Sequence, residues 1–431
     1  MTALRVERWL PDGFLAESLR ADARAGLSAT PKVLPPKWFY DERGSELFEK
    51  ITRLDEYYPT RAERSILRAA AGQIAAGTRA RTLVELGAGA ADKTRLLLDA
   101  LAGAGTLASF VPVDVSETAL IEAARRVAGE YPGLAVTAVV SDFEEHLGLP
   151  SGSEARLVVF LGGTIGNLLP GQRAAFLRSL RSRLRPGDAF LLGTDLVKDP
   201  AVLVAAYDDA AGVTAAFNKN ILSVLNAALG ADFDPDAFEH VALWDAGAEW
   251  IEMRLRSLQP QRVTLPAIDL QVTFGEGEEL RTEVSAKFRR ERVAAELAAA
   301  GFTMAGWWTD GQGRFGLSLS VPAERGPHGR RGSVAGRAAF HPPHPGIGEP
   351  QLGDQLGGDP LGRDRPAAEQ VHRDQVLLRP GVNGQVRLGQ DQHQGNRTVG
   401  EDHVAGVEHG AAAGLHRGAR GGGQFRDIGH R

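Results

Sequence analysis

The chain has 431 residues, a formal net charge of −5 and no cysteine. That length allows two ordinary domains with a large buried core, while the missing thiols exclude a disulfide framework, a thiolate zinc site and a cysteine nucleophile. Charges of both signs are mixed, with no basic stripe in the body of the chain, and no apolar run reaches the roughly 20 residues that span a bilayer, so neither nucleic acid nor membrane is an expected partner and the cytoplasm is the expected location.

Residues 12–27 carry the spacing of an amphipathic helix that ends near Pro31. Two aromatic-rich stretches follow, Pro35-Pro-Lys-Trp-Phe-Tyr-Asp-Glu-Arg-Gly-Ser-Glu-Leu-Phe and Asp55-Glu-Tyr-Tyr-Pro-Thr-Arg, with a helix between them expected to be capped by Ser45. Aromatics mixed with Gly, Pro and charge just ahead of a ligand-binding strand suggest a lid. Trp38, Phe39 and Phe48 fit core and ligand contact equally. Tyr40 and Tyr57 read better as functional, because a phenol needs a hydrogen-bond partner once buried.

The organising stretch is Thr82-Leu-Val-Glu-Leu-Gly-Ala-Gly-Ala-Ala-Asp-Lys-Thr-Arg, which reads as strand, tight turn and helix. Gly87 and Gly89 let the turn press against a ligand while the first N–H groups of the helix face it. A dinucleotide fingerprint has a third glycine where this chain has Asp92. The acid ahead of the first glycine, Glu85, is instead the pattern of Rossmann-like S-adenosylmethionine (SAM) methyltransferases. The turn alone leaves both open, beside the bland reading that glycines merely let helix and strand pack closely.

From Arg81 onward strands alternate with helices, which predicts a parallel sheet. Strand two, 109–116, carries Asp114 at its carboxyl end, placed to accept both hydroxyls of a ribose. Strand three, 135–140, runs into Asp142 and Phe143, an acid and a ring suited to an adenine. Strand four begins at Arg156 and leads into Gly162-Gly-Thr-Ile-Gly-Asn-Leu, and strand five ends at Asp195. Ligands of such sheets collect outside the carboxyl ends of the strands, and Glu85, Asp114, Asp142 and Gly162 to Asn167 share that edge.

Alternation then stops. Helices over 200–216 and 220–229 precede strands over 249–257, 261–265 and 269–274; the segment from Thr282 to Phe288 leads to a helix over 289–300 and a closing antiparallel hairpin over 303–310 and 314–321. The expected organisation is α/β: a Rossmann-like methyltransferase sheet from 1–195 and 286–322, an inserted α+β substrate-binding domain over 196–285, and a disordered or out-of-frame tail over 323–431. Nine of the 11 histidines lie in that tail, at spacings that fit no metal-ligand pattern.

The stretches from Lys37 to Phe48, Glu56 to Arg61, Leu86 to Arg95, Pro112 to Ser116, Gly163 to Leu168, Phe217 to Leu222 and Thr282 to Phe288 together resemble the histidine-specific SAM-dependent methyltransferases of ergothioneine biosynthesis, in consistent order over residues 10–322. The resemblance implies trimethylation of the α-amino group of L-histidine to hercynine, by a monomer that uses SAM as methyl donor and no metal. It implies that Gly87, Lys93, Asp114, Asp142, Phe143 and Gly162 hold SAM, and that Tyr57, Asn167 and Tyr207 hold the amino-acid head group. Tyr40 then stands near the amine as the catalytic residue. Glu283 and Ser285 read the imidazole, and Met253 limits the room for a larger ring. Alternatives are the same chemistry on tryptophan or tyrosine, a NAD-dependent oxidoreductase, and a non-catalytic ligand-binding module.

Overall fold

A computed structural model of the protein describes residues 4–89, 91–142, 147, 149–150 and 154–324. Phe143 and the tail from 325 onward lie outside the described residues. Strand β1 (Arg5–Arg8) and helix α1 (Phe14–Leu27) lead to the two-residue β2 (Lys32–Val33), a short 3-10 turn (Pro36–Phe39), α2 (Glu42–Ile51) and α3 (Pro59–Thr78). The cap of α2 differs from expectation. Asp41, not Ser45, begins the helix, its Oδ1 accepting the Gly44 N–H at 2.7 Å, because a carboxylate ahead of the first turn satisfies an orphan donor and favours the helix dipole. Ser45 sits one turn inside. Helix α3 turns Ala62, Ile66, Ala70 and Ile74 inward at four-residue spacing.

The alternating region follows as β3 (Thr82–Leu86), α4 (Arg95–Gly103), β4 (Ser109–Asp114), α5 (Glu117–Glu130), β5 (Ala135–Val140), β6 (Arg156–Phe160), α6 (Pro170–Arg183) and β7 (Ala189–Asp195). These strands form an eight-stranded sheet in the order β1-β5-β4-β3-β6-β7-β14-β13, completed by β13 (Phe302–Thr309) and β14 (Phe315–Pro322). From β1 to β7 the pairings are parallel; β14 runs antiparallel to β7, and β13 to β14, as the predicted hairpin. Every residue of β3 and β6 is buried, as expected of parallel strands covered on both faces. Leu83, Phe110 and Leu157 enter one core beneath α3, and Val84, Val111 and Val158 enter the other against α6 and α9 (Arg290–Ala299). The sheet order reverses at β3, which places the crevice at the carboxyl ends of β3, β4 and β6.

Between β7 and α9 lie α7 (Pro200–Ala205), α8 (Val213–Leu229), β8 (Phe238–Asp245), β9 (Trp250–Ser257), the β10 (Gln261–Leu265) and β11 (Leu270–Phe274) hairpin, and β12 (Glu279–Ala286). The helix expected over 200–216 is two helices. Asp209 accepts the N–H groups of Val213 and Thr214 at 2.9 and 2.7 Å and so starts α8 afresh. The expected start of a helix at Asn220 therefore falls inside α8. A four-stranded sheet, β2-β12-β9-β8, packs here, and β2 joins it from the N-terminal segment, Lys32 and Val33 pairing with Leu280 and Arg281. Neither β1, β2 nor β8 is foreseen: the first two are short, and the Val-Ala-Leu-Trp run in β8 obscures a two-residue period. The described residues fall within one compact unit, and none of their helices is long and apolar enough to cross a membrane.

Candidate active site

The turn after β3 holds Gly87 and Gly89 at φ 67° and 46°, in the left-handed region that glycine occupies without strain. Asp114, at the end of β4, meets it: Oδ2 accepts the Gly89 N–H at 3.1 Å and Oδ1 accepts the Ser116 N–H at 2.9 Å. Burial pushes this carboxyl up, and the backbone donors oppose the shift. Two backbone bonds leave about half of a carboxylate's lone-pair positions, the acceptor set that a vicinal ribose diol requires.

Beneath the turn, Glu85 is buried. Its Oε1 accepts from the Thr94 hydroxyl, and its Oε2 has no partner. Burial drives the carboxyl up to about 8, with Thr94 and Lys93 pulling the other way. Lys93 in turn pairs with Glu63 of α3, whose carboxylate accepts the Gly162 N–H at 2.9 and 3.0 Å. One fully buried acid thus ties α3 to the segments that follow β3 and β6. Asp142, at the end of β5, is buried with Lys37 Nζ 3.8 Å from its Oδ2; Lys37 also pairs with Asp22 at 3.1 Å.

Glu85 carries a pH prediction. A carboxyl raised in the folded chain keeps its proton while the unfolded chain has already released its own, so this group's contribution to stability is full below its unfolded pKa of 4.5 and is lost as pH rises through about 8. Glu85→Gln is expected to flatten the fall in melting temperature across that window. Parallel curves for the two ligand-free proteins would remove Glu85 as its source.

Beside this edge is a cleft of about 610 Å³, open solvent at its mouth included, lined by Tyr40, Phe48, Tyr57, Gly162, Asn167, Asp195, Tyr207, Phe217, Met253, Glu283 and Ser285 among others. Two backbone features build it. The 3-10 turn Thr164–Asn167 lies directly on β12: a Cβ on Gly166 would fall 2.8 Å from the Ala286 carbonyl oxygen and 3.1 Å from its nitrogen. On β12 itself the register with β9 shifts between Arg281 and Glu283, a bulge that re-aims the following side chains. Thr282 anchors it, its hydroxyl oxygen lying 2.5 Å from Asn218 Oδ1, to which it donates, and 3.0 Å from the Met253 carbonyl oxygen. Gly166→Ala is expected to destabilise the protein by about 1–3 kcal/mol, the usual cost of overpacking, and to raise KM for the amino-acid substrate, measured by denaturant unfolding and steady-state kinetics.

Past the bulge, Glu283, Ser285 and Lys287 alternate onto one face, with Glu283 in register with Met253. That face points inward. Glu283 Oε1 accepts from Asn167 Nδ2 at 2.6 Å, and the same amide nitrogen donates to the Val284 carbonyl at 2.8 Å. Burial pushes the Glu283 carboxyl up to about 7, against Asn167 and the Lys287 charge. Ser285 Oγ lies 2.7 Å from Tyr207 Oη.

The phenols of Tyr57 and Tyr207 are raised well above the ordinary value by burial and then by surrounding charge. Tyr40, 43% exposed at the cavity mouth, is raised too, first by desolvation, then by Glu283, Tyr207 and Asp114. Its phenol therefore feels both the Glu283 and the Asp114 carboxylates. Edge-on contacts at 5.6 Å place Tyr40 against Phe48 and Phe217, themselves 6.0 Å apart.

All seven residues expected on the amino-acid side line this one cavity, together with Gly162. Gly87, Lys93, Asp114 and Asp142 gather at the neighbouring sheet edge. Missed in the sequence were Glu63 and Lys287, which act from beneath, Asp195, which reaches the lining, and Phe217, whose stretch is legible as a motif but not as a cavity wall. Among the described residues no group of three or more His, Asp or Glu is placed to hold a metal ion.

Residues 19–322 match the family described as histidine-specific methyltransferase, SAM-dependent. The Histidine N-alpha-methyltransferase of Mycolicibacterium smegmatis is 58% identical over 318 residues, 74% of this chain and 99% of that protein. Its namesake from Mycobacterium tuberculosis is 59% identical over 305 residues, 70% and 95% of the two chains. Ergothioneine biosynthesis protein 1 of Schizosaccharomyces pombe is 34% identical over 224 residues, 49% of this chain and 29% of that one. With a glycine turn met by a strand-end acid, a polar and aromatic cleft beside them, and that match across most of its length, the chain belongs to the histidine-specific, SAM-dependent methyltransferases.

Proposed function

We propose that the chain trimethylates the α-amino nitrogen of L-histidine to hercynine, a step of ergothioneine biosynthesis. The observation that carries the reading is the convergence of Glu283, Ser285, Met253, Gly162 and Tyr40 on one cavity. SAM, when bound, supplies a methyl on a sulfonium that a nitrogen lone pair displaces in line.

The chain's part is to position and to exclude water, which is worth about 7–11 kcal/mol when the reacting atoms are held in near-attack geometry. Asp114 takes the ribose hydroxyls, Asp142 and Phe143 the adenine, and Lys93 with Gly87 and Gly162 the remainder of the donor. Tyr57, Tyr207 and Asn167 hold the head group. In the substrate-free arrangement both Asn167 amide protons are committed, to Glu283 and Val284, so its Oδ1 faces the amine as an acceptor.

Tyr40 is the residue at the reacting nitrogen. Its raised pKa keeps it a phenol at neutral pH, so its oxygen accepts an amine N–H and hands the released proton to water rather than acting as a preformed base. The Tyr40, Phe48 and Phe217 faces accommodate the growing cationic charge, at about 0.5–2 kcal/mol each.

The inserted segment is the substrate lobe of this reading, and the enzyme is a cytoplasmic monomer. The same chemistry on tryptophan is disfavoured by Met253, which faces Glu283 across the strand pair and occupies the space a larger ring needs. The dinucleotide alternative loses its footing because Asp92 is paired with Arg95 at the helix start. Mass spectrometry of L-histidine, tryptophan and tyrosine competing for SAM and enzyme tests the reading. Successive methyl additions to histidine ahead of the others are expected, and a preference for either rival would overturn it.

A further inference from the structure

At the cavity floor, where Asp195 reaches the lining, lies a buried cluster of charge that the reading above does not use. Lys287 is fully buried, and its ammonium has three acceptors: Asp195 Oδ2, Tyr207 Oη and Ser285 Oγ, each at 2.9 Å. Lys198 donates to the other Asp195 oxygen at 2.6 Å, and the Tyr58 hydroxyl lies 2.8 Å from both. Two lysines thus share the Asp195 carboxylate. Burial pushes Asp195 up, but Lys287 and Lys198 outweigh that and hold it below the ordinary carboxylate range.

An ammonium has three protons and no lone pair. Tyr207 and Ser285 therefore both accept from Lys287, and each keeps its own proton to give away. Without substrate, one of those protons bridges the 2.7 Å between the two oxygens. A ligand that separates the pair meets two hydroxyl protons that Lys287 does not use, since an ammonium can only donate to these oxygens. Among the described residues lining the cavity there is no arginine or lysine, yet an amino acid brings a carboxylate whose charge is costly to bury uncompensated. Lys287 is the cation one hydroxyl away.

We propose that Lys287 is a positioning residue, which fixes Tyr207 and Ser285 as donors toward the substrate and, through Tyr207, supplies the counter-charge for the substrate carboxylate. The inference rests on the amino-acid reading of this cavity.

The test compares L-histidine with histamine, which keeps the ring and the amine but lacks the carboxylate, by calorimetric titration into the full chain and its K287M variant. A charge-assisted bond lost to histidine alone makes its affinity fall about tenfold or more beyond any fall for histamine. KM for histidine rises by the same factor, while kcat and SAM affinity stay near wild type. In a Tyr207→Phe background the same substitution adds little. Equal losses for the two ligands, or the full loss repeated in the Tyr207→Phe background, overturn the proposal. K287Q, which refills the site with a neutral donor, reads the same ratio if K287M does not fold. Methylation of histidine by the wild-type enzyme is measured first, so that failure of the underlying reading shows separately from failure of this step.

Discussion

Glu283→Ala is expected to lower kcat/KM for L-histidine by about 10- to 150-fold, the value of a hydrogen bond to a charged group inside a protein, while SAM affinity and the folded state are retained. Burial holds the Glu283 carboxyl at about 7, so near neutral pH its ionised form is not a source of folding stability and its removal does not weaken the fold on that account. A substrate ring N–H restores a partner to that carboxylate, which an apolar ring cannot do. Selectivity between histidine and other aromatic amino acids should therefore collapse in the variant more than total turnover does. Unchanged relative rates across those substrates would show that Glu283 does not read the ring. Asn167 then loses its acceptor as well, so a modest loss of head-group affinity is part of the expected result.

The second large effect is at Asp114. Asp114 ends β4 at the switch point of the sheet with lone pairs that its two backbone donors leave unused, and two ribose hydroxyls donating to a carboxylate amount to about 3–6 kcal/mol together. Asp114→Ala should weaken SAM binding by about 100-fold or more at that magnitude, measured by calorimetry, while histidine binding in the absence of donor persists. Because Asp114 also fixes the Gly89 and Ser116 N–H groups, Asp114→Asn is the companion variant: it keeps one acceptor and the side-chain size, and it should fall between the two. If both variants bind SAM as the wild type does, the ribose is held elsewhere.

Much of this architecture is legible in the residues because each signal is local. The apolar runs of β3, β4 and β6, interrupted by glycine turns and followed by helical spacing, carry both their conformation and their order, and acids at strand ends mark the ligand edge. Sidedness is not local. Glu283, Ser285 and Lys287 alternate with Val284 and Ala286 as a solvent-facing strand would, and only the packing of β12 beneath the Thr164–Asn167 turn directs the polar face inward. Lys287 is invisible for the same reason: a lysine in a strand reads as exposed until its three acceptors, drawn from β7, the residues after α7 and β12, are assembled around it. The same holds for Glu63, which looks like an ordinary surface residue of α3 and is fully buried against Gly162 and Lys93. The misplaced cap of α2 is a milder case, since Asp41 and Ser45 are both competent caps and tertiary packing chooses between them.

The central claim is that the ring end of the substrate is held by Glu283 and Ser285 while the opposite end presents its α-nitrogen beside Tyr40 and Gly162. Fragmentation of the product formed from L-histidine and SAM bearing a labelled methyl group tests this most directly. All three labelled methyl groups are expected on the α-nitrogen, with the imidazole unmodified; a labelled methyl on a ring nitrogen would mean that the substrate lies in the cavity the other way round.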